Sequence, residues 1–174
     1  MNNNKTKLLF VCLGNICRSP MAEFIFKDMV EKEGLADKFI IKSCATSTEE
    51  IGNPVHYGTQ NVLNQMGINC SGKRARQITQ KDYEEYDYIL IDAPPTLGGW
   101  VMNILCAADK VIIPVEATPW GLFGLGNMFE FLEQVKQMTP ELEVAGIVVT
   151  KVDTRKNYFK QTFDGLRELE DIHV

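Results

Sequence analysis

Short runs rich in Val, Ile, Leu and Phe alternate along this chain with amphipathic stretches, and no other feature constrains the fold as strongly. The runs with the length and composition of buried strands are Lys7–Cys12, Phe39–Ser43, Tyr86–Asp92, Lys110–Glu116 and Val144–Thr150. Continuous apolar strands separated by helices are typical of a parallel sheet that is covered on both faces. The pattern therefore predicts an α/β fold in three layers.

The segments between these strands predict helices at residues 19–33, 54–66, 97–108, 121–138 and 155–170. Residues 69–85 are polar and irregular, with room for a short turn of helix. Crossovers between parallel strands are right-handed, so few topologies are possible. We expect a flavodoxin-like sandwich with one five-stranded parallel sheet of order 2-1-3-4-5. In such a sheet a ligand crevice opens between strands 1 and 3.

The 174 residues contain no Gly/Ser-rich or Pro-rich spacer near residue 90, so we predict a single domain over 1–174, made of halves 1–88 and 89–174. The net charge of −5 comes from the second half and disfavours nucleic-acid binding. The sequence has no long apolar run and a polar start, which predict neither membrane insertion nor a signal peptide. Five cysteines without metal-ligand spacing favour a reduced cytoplasmic setting with no metal and no cofactor. We expect a monomer.

The segment Cys12-Leu13-Gly14-Asn15-Ile16-Cys17-Arg18-Ser19 lies between the first strand and the first helix. A helix N-terminus and the backbone amides before it form a natural anion site. Gly14 and Asn15 tolerate the positive φ angles that such a nest requires. The predicted phosphate-binding residues are Leu13, Gly14, Asn15, Ile16, Cys17 and Arg18.

Three side chains of this loop have the chemistry of a nucleophilic phosphate site. The positive field of the helix would hold Cys12 as a thiolate, which is the reactive form of cysteine. Arg18 could clamp two phosphate oxygens in bidentate fashion, and the Ser19 hydroxyl could donate to the thiolate. The alternative is a buried strand cysteine followed by an ordinary turn.

The motif VCLGNICRSPMAE resembles the signature of the low-molecular-weight protein tyrosine phosphatases, and the resemblance continues through SCATS, GNPVH and GKRARQ to about residue 88. It implies that Cys12 is the nucleophile, that Arg18 binds the phosphoryl oxygens, and that Asn15, Ser19 and Ser43 hold the loop in shape. It also implies that Cys17 can trap Cys12 as a reversible disulfide. The implied partners are phosphate or sulfate ions and phosphotyrosine or small aryl phosphates.

Residues 86–174 resemble a different family, the partition ATPases of the ParA/MinD type, in YDYILIDAPPTLG, AADKVIIPVEA and ELEVAGIVVTKVDTRKN. That family needs a Walker A loop, G-x-x-x-x-G-K-[ST], and this sequence has none. The phosphatases take their general acid from an Asp-Pro-aromatic segment, which is also missing. Asp92 and Glu116 are therefore the candidate acids.

These observations lead to the hypothesis of an engineered chimera whose parents join near Tyr86–Asp92. Its predicted function is an impaired cysteine-based phosphatase that works through a phosphocysteine intermediate. One alternative is an inactive scaffold that binds phosphate or sulfate. A third possibility, a nucleotide-dependent switch that reads a base through Thr150–Asp153, is disfavoured because the Walker A lysine is missing.

Overall fold

The structure is a computed structural model that describes residues 5–152 together with residues 155, 163 and 166. It divides into two compact units, Met1–Ala93 and Pro94–Val174. Among the described residues, every helix is too short or too polar to cross a lipid bilayer.

The first unit is built around a three-stranded parallel sheet of order β2-β1-β3. Its strands are β1 (Thr6–Cys12), β2 (Phe39–Ala45) and β3 (Tyr88–Ile91). Its α-helices are α1 (Arg18–Lys32), α2 (Tyr57–Gln65) and α3 (Gln80–Glu85), and a 3-10 helix spans Ala36–Lys38. The central position of β1 brings its carboxyl end, with Cys12, between the ends of its two neighbours.

The core of this unit lies on both faces of β1, because successive strand residues point in opposite directions. Leu8 packs with Val30 of α1 on one face. Leu9 and Val11 pack with Cys44 on the other. Both faces are therefore covered, as the continuous apolar run of β1 predicts.

Helix α3 lies in the stretch 69–85 that the sequence describes as mostly irregular. Thr79 begins it with a reciprocal capping box, in which the Asp82 carboxylate accepts from the backbone N–H and the hydroxyl of Thr79 at 2.7 and 2.8 Å. Such a box satisfies donors that a helix start leaves free. The spacing Thr79-x-x-Asp82 is thus the local cause of α3.

The second unit contains α4 (Gly99–Cys106), β4 (Lys110–Glu116), α5 (Pro119–Lys136) and β5 (Glu143–Thr150). Strands β4 and β5 form a two-stranded parallel sheet with an irregular register between Val111 and Ile112. Pro114 lies inside β4, opposite Val148. Proline lacks a backbone N–H, so β4 has one ladder donor fewer at this position.

The parallel pairing and the 2-1-3 part of the predicted order are present, but the described strands form two sheets instead of one five-stranded sheet. In the second of these sheets β4 pairs with β5. The single domain over 1–174 stays a prediction. Apart from residues 155, 163 and 166, the helix predicted at 155–170 lies outside the described residues.

Candidate active site

The loop of residues 13–17 connects the end of β1 to the start of α1. Its carbonyl groups are held by neighbouring backbone, since Leu13 O accepts from Ser47 N at 2.9 Å and Ile16 O from His56 N at 2.8 Å. Asn15 has a φ of 54°, which is in the left-handed region where Asn is better tolerated than most residues.

The amides of this loop are available to a ligand. Within the part of the chain that the structure describes, the backbone N–H groups of Leu13, Gly14, Ile16 and Cys17 donate to no protein acceptor. Helix α1 adds the positive end of its dipole at Arg18. Free amides beside a helix N-terminus are the arrangement that binds tetrahedral anions.

Cys12 is buried at the base of this loop and has two polar contacts. Its Sγ lies 3.0 Å from the Ser19 hydroxyl and accepts from the Asn15 amide at 3.4 Å. These two contacts fix the position of the sulfur at the base of the loop. The predicted proximity of Cys12 and Ser19 is therefore present in the structure.

Asn15 connects the loop to the rest of the unit through its buried side chain. Its Nδ2 donates to Ser19 Oγ at 2.9 Å and to Ser43 Oγ at 2.8 Å, and its Oδ1 accepts from the Arg76 amide at 3.2 Å. Ser43 lies in β2, so the amide of one side chain joins β2 to α1. The geometry brings Asn15, Ser19 and Ser43 together as the family resemblance implies.

A buried ion pair supports this network, and sequence reasoning did not include it. Glu23 is 2% exposed, and its carboxylate accepts from Ser43 Oγ at 2.6 Å and from Lys73 Nζ at 2.9 Å. Lys27 donates to the other carboxylate oxygen. The signal was the spacing of Ser19 and Glu23, which places both on one face of α1.

The ionisation of the pair follows from its surroundings. Burial alone would raise the pKa of Glu23, but the hydrogen bond from Lys27, the charge of Lys73 and the Ser43 hydroxyl together hold it below its ordinary value. Burial lowers the pKa of Lys73 against the opposing effect of Glu23. The charged forms of Glu23 and Lys73 therefore stabilise each other.

A second ion pair fixes Arg76, whose amide contacts Asn15. The Arg76 guanidinium makes two hydrogen bonds to the Asp82 carboxylate, at 2.8 and 2.9 Å. The hydrogen bond from Arg76, against some cost of burial, lowers the pKa of Asp82 to about 2. Asp82 therefore has two roles: it belongs to the capping box of α3, and it holds Arg76, whose backbone N–H contacts Asn15.

Cys44 is a contrasting thiol close to the site. It is fully buried in β2, and burial raises its pKa to about 11. A thiol in that state is a poor nucleophile at neutral pH. Cys44 is thus a buried structural cysteine, whereas Cys12 Sγ contacts Ser19 Oγ and the backbone N–H of Asn15.

Arg18 and the two candidate acids are each paired with an opposite charge. Arg18 Nη1 lies 3.0 Å from Asp92 Oδ2, and both side chains are about half exposed. Glu116 belongs to the second unit, at the end of β4, and pairs there with Lys151. Within the first unit, the structure therefore brings Asp92 and Arg18 together.

The sequence profile of the low molecular weight phosphotyrosine protein phosphatases matches residues 7–94, which include the loop and its whole supporting network. The chain belongs to this family. The phosphatase YfkJ of Bacillus subtilis is 51% identical over 92 residues, which are 53% of this chain and 59% of that protein. The crystal structure of YfkJ superimposes with a TM-score of 0.52 at 47% identity, again over 53% of this chain and 59% of that chain.

The match to the family is partial in length. The chain spans a little over half the length of the curated phosphatases that it matches. A different kind of similarity is to the chromosome partitioning protein ParA of Myxococcus xanthus, which is 42% identical over 84 residues. That alignment covers 48% of this chain and 30% of the ParA protein.

Proposed function

We propose that this member of the phosphatase family hydrolyses aryl phosphate esters, such as phosphotyrosine, at Cys12. The observation that carries the proposal is the position of Cys12 Sγ, 3.0 Å from the Ser19 hydroxyl at the base of a loop with free amides. A nucleophile, an activating donor and an anion site are thus within one turn of chain.

The proposed reaction has two steps. In the first, Cys12 Sγ forms a bond to phosphorus while the bond to the ester oxygen breaks, and the alcohol departs. The loop amides and Arg18 stabilise the negative charge on the equatorial oxygens. In the second step water attacks phosphorus, the S–P bond breaks and inorganic phosphate leaves, which restores the Cys12 thiolate. The Ser19 donor stabilises the sulfur as leaving group.

The departing alcohol needs a proton, and the site has no assigned donor. In its ion pair with Arg18, Asp92 is an acceptor, so it can donate only after that pair opens. Glu116 is engaged by Lys151. We therefore propose impaired turnover, because loss of general-acid catalysis typically costs about 10²–10⁴-fold in rate.

The rim of the loop supports an aromatic substrate. Leu13 is 57% exposed beside Cys12. The backbone N–H of His56 donates to Ile16 O, and the His56 ring lies tilted at 41° against that of Tyr57, with 4.4 Å between centroids. An apolar side chain and an exposed aromatic pair next to the loop favour an aryl group on the ester.

Hydrolysis of nitrophenyl phosphate, whose leaving group needs little help from an acid, tests the proposal. Cys12→Ser should abolish turnover, and Cys106→Ser, a cysteine of α4 in the other unit, should leave it unchanged. Equal rates in wild type and Cys12→Ser would overturn the proposal.

The second candidate function is a scaffold that binds phosphate or sulfate without turnover. The Arg18–Asp92 pair favours it, because it occupies the side chain that should stabilise the transition state. Phosphate binding by wild type, together with absent turnover even of nitrophenyl phosphate, would select this candidate. The nucleotide switch has no such observation in its favour.

We also propose the chimera, with a complete sheet of order 2-1-3-4-5, as the origin and native architecture of the chain. Its support is that the phosphatase profile ends at residue 94 and the two compact units divide between Ala93 and Pro94. The similarity to ParA adds a second parent. Backbone NMR hydrogen-bond couplings between β3 and β4 would test the single sheet, and their absence would contradict it. Engineering, a monomeric state and a cytoplasmic location stay predictions.

A further inference from the structure

Asp92 follows β3 and lies beside the catalytic loop at the carboxyl edge of the sheet. Its backbone N–H donates to Val11 O at 2.8 Å, and Val11 immediately precedes Cys12. The register of the two strands pairs Val11 with Ile91, so Asp92 continues the pairing next to the nucleophile. The backbone of Asp92 is therefore fixed at the site.

The side chain of Asp92 makes an ion pair that competes with the proposed chemistry. Its Oδ2 lies 3.0 Å from Arg18 Nη1, one of the donors that a bidentate clamp on phosphate would use. A carboxylate in this position also repels an approaching phosphate dianion. The same contact therefore occupies the cation and adds a like charge beside the anion site.

We propose that Asp92 is an internal competitor for Arg18, displaced when the phosphoryl group binds, and that it thereby sets the affinity of the loop for anions. This inference rests on the proposed function of the loop. In this proposal Asp92 affects phosphate binding by determining where the Arg18 guanidinium lies.

The surroundings of the pair permit this exchange. The Arg18 and Asp92 side chains are 52% and 45% exposed, and ion pairs with such exposure are weak and screened. Arg18 and Asp92 are also among the residues around an apolar groove of about 520 Å³. Of the other residues around it, Met21, Ile25 and Leu90 are apolar and offer the guanidinium no competing acceptor. Arg18 can therefore leave Asp92 without breaking any other described side-chain contact.

The test is calorimetric titration of the full chain with inorganic phosphate at low ionic strength. Asp92→Asn should tighten phosphate binding about two- to fivefold, as expected for loss of an exposed ion pair and its repulsion. Asp92→Glu, which keeps the charge, should retain the wild-type affinity within about twofold. Asp37→Asn makes the same charge change in the 3-10 helix before β2, at the opposite edge of the sheet, and should have no effect.

The outcomes separate the inference from the function on which it rests. Unchanged or weaker binding in Asp92→Asn, while Arg18→Ala still loses phosphate, would overturn the inference alone. An equal gain in Asp37→Asn would also overturn it, because the effect would then be one of net charge. Failure of wild type to bind phosphate, or full binding by Arg18→Ala, would overturn both.

Discussion

The Nζ atom of Lys73 lies 2.9 Å from a carboxylate oxygen of Glu23, and this buried pair supports the cysteine loop of residues 13–17 through Ser43 and Asn15. The same oxygen of Glu23 accepts from Ser43, and Ser43 in turn accepts from the Asn15 side chain. A charge in α1 therefore positions the loop through two hydrogen bonds.

Lys73→Met should lower the free energy of unfolding by about 2–3 kcal/mol. Removing one partner of a buried pair leaves an uncompensated charge, and Lys27 limits the loss because it still contacts Glu23. Urea unfolding of the purified variant measures the change. Lys38→Met, at an exposed lysine, is the matched control, and adding Glu23→Gln to Lys73→Met should recover part of the loss. Equal stability of the two lysine variants would contradict the role of the pair.

Asp82→Asn should cost about 1–2 kcal/mol at pH 7 and remove part of the acid sensitivity of the protein. The folded-state pKa of Asp82 is about 2, against an ordinary value of 3.8. Because the folded value is the lower one, the stabilisation is complete above about pH 4 and is lost as the pH falls toward 2. The full shift would correspond to about 2.5 kcal/mol, which we discount because Arg76 is partly exposed. Wild type and variant should converge in unfolding free energy at acid pH, and a constant difference would contradict this account.

Gly121→Ala should destabilise the protein by about 2–3 kcal/mol, although alanine usually favours helices. A Cβ at this position in α5 would lie 2.0 Å from the Glu116 carbonyl oxygen, so the backbone after β4 would have to move. Gly124→Ala in the same helix would meet nothing within 4 Å and should stabilise by up to about 1 kcal/mol. Thermal unfolding of both variants gives the comparison, and changes of the same sign would refute the close approach.

Turnover should depend steeply on the leaving group, because no general acid is assigned. We expect phenyl phosphate to be hydrolysed at least about 100-fold more slowly than nitrophenyl phosphate, since phenolate is the more basic leaving group. Steady-state rates with a series of substituted phenyl phosphates measure this dependence. A flat dependence would show that an acid is present, and its loss in Asp92→Asn or Glu116→Gln would identify which residue supplies the proton.

The local features of the loop were predictable from sequence, because each depends on residues close together in the chain. Cys12 and Ser19 meet because a strand, a tight turn and a helix start follow each other within eight residues. The positive φ of Asn15 and the pairing of β1 with both neighbours are likewise encoded in short segments.

What could not be predicted depends on long-range contacts. Lys73 and Glu23 are fifty residues apart, and nothing local indicates that the lysine of one loop neutralises a carboxylate in α1. Asp92 is predicted from sequence as a candidate acid, but its pairing with Arg18 depends on the register of β3 against β1. The order of all five strands depends on such contacts as well, because apolar runs predict buried strands without showing which of them are neighbours.

The central position of β1 in its sheet predicts how the protein should lose activity on heating. Cys12 ends the one strand of its sheet that is paired on both sides, and Asn15 ties the loop to β2. Cys12 cannot shift without breaking these contacts, whereas many enzymes lose activity first because a surface loop unfolds locally. Catalytic inactivation and loss of secondary structure should therefore share one midpoint.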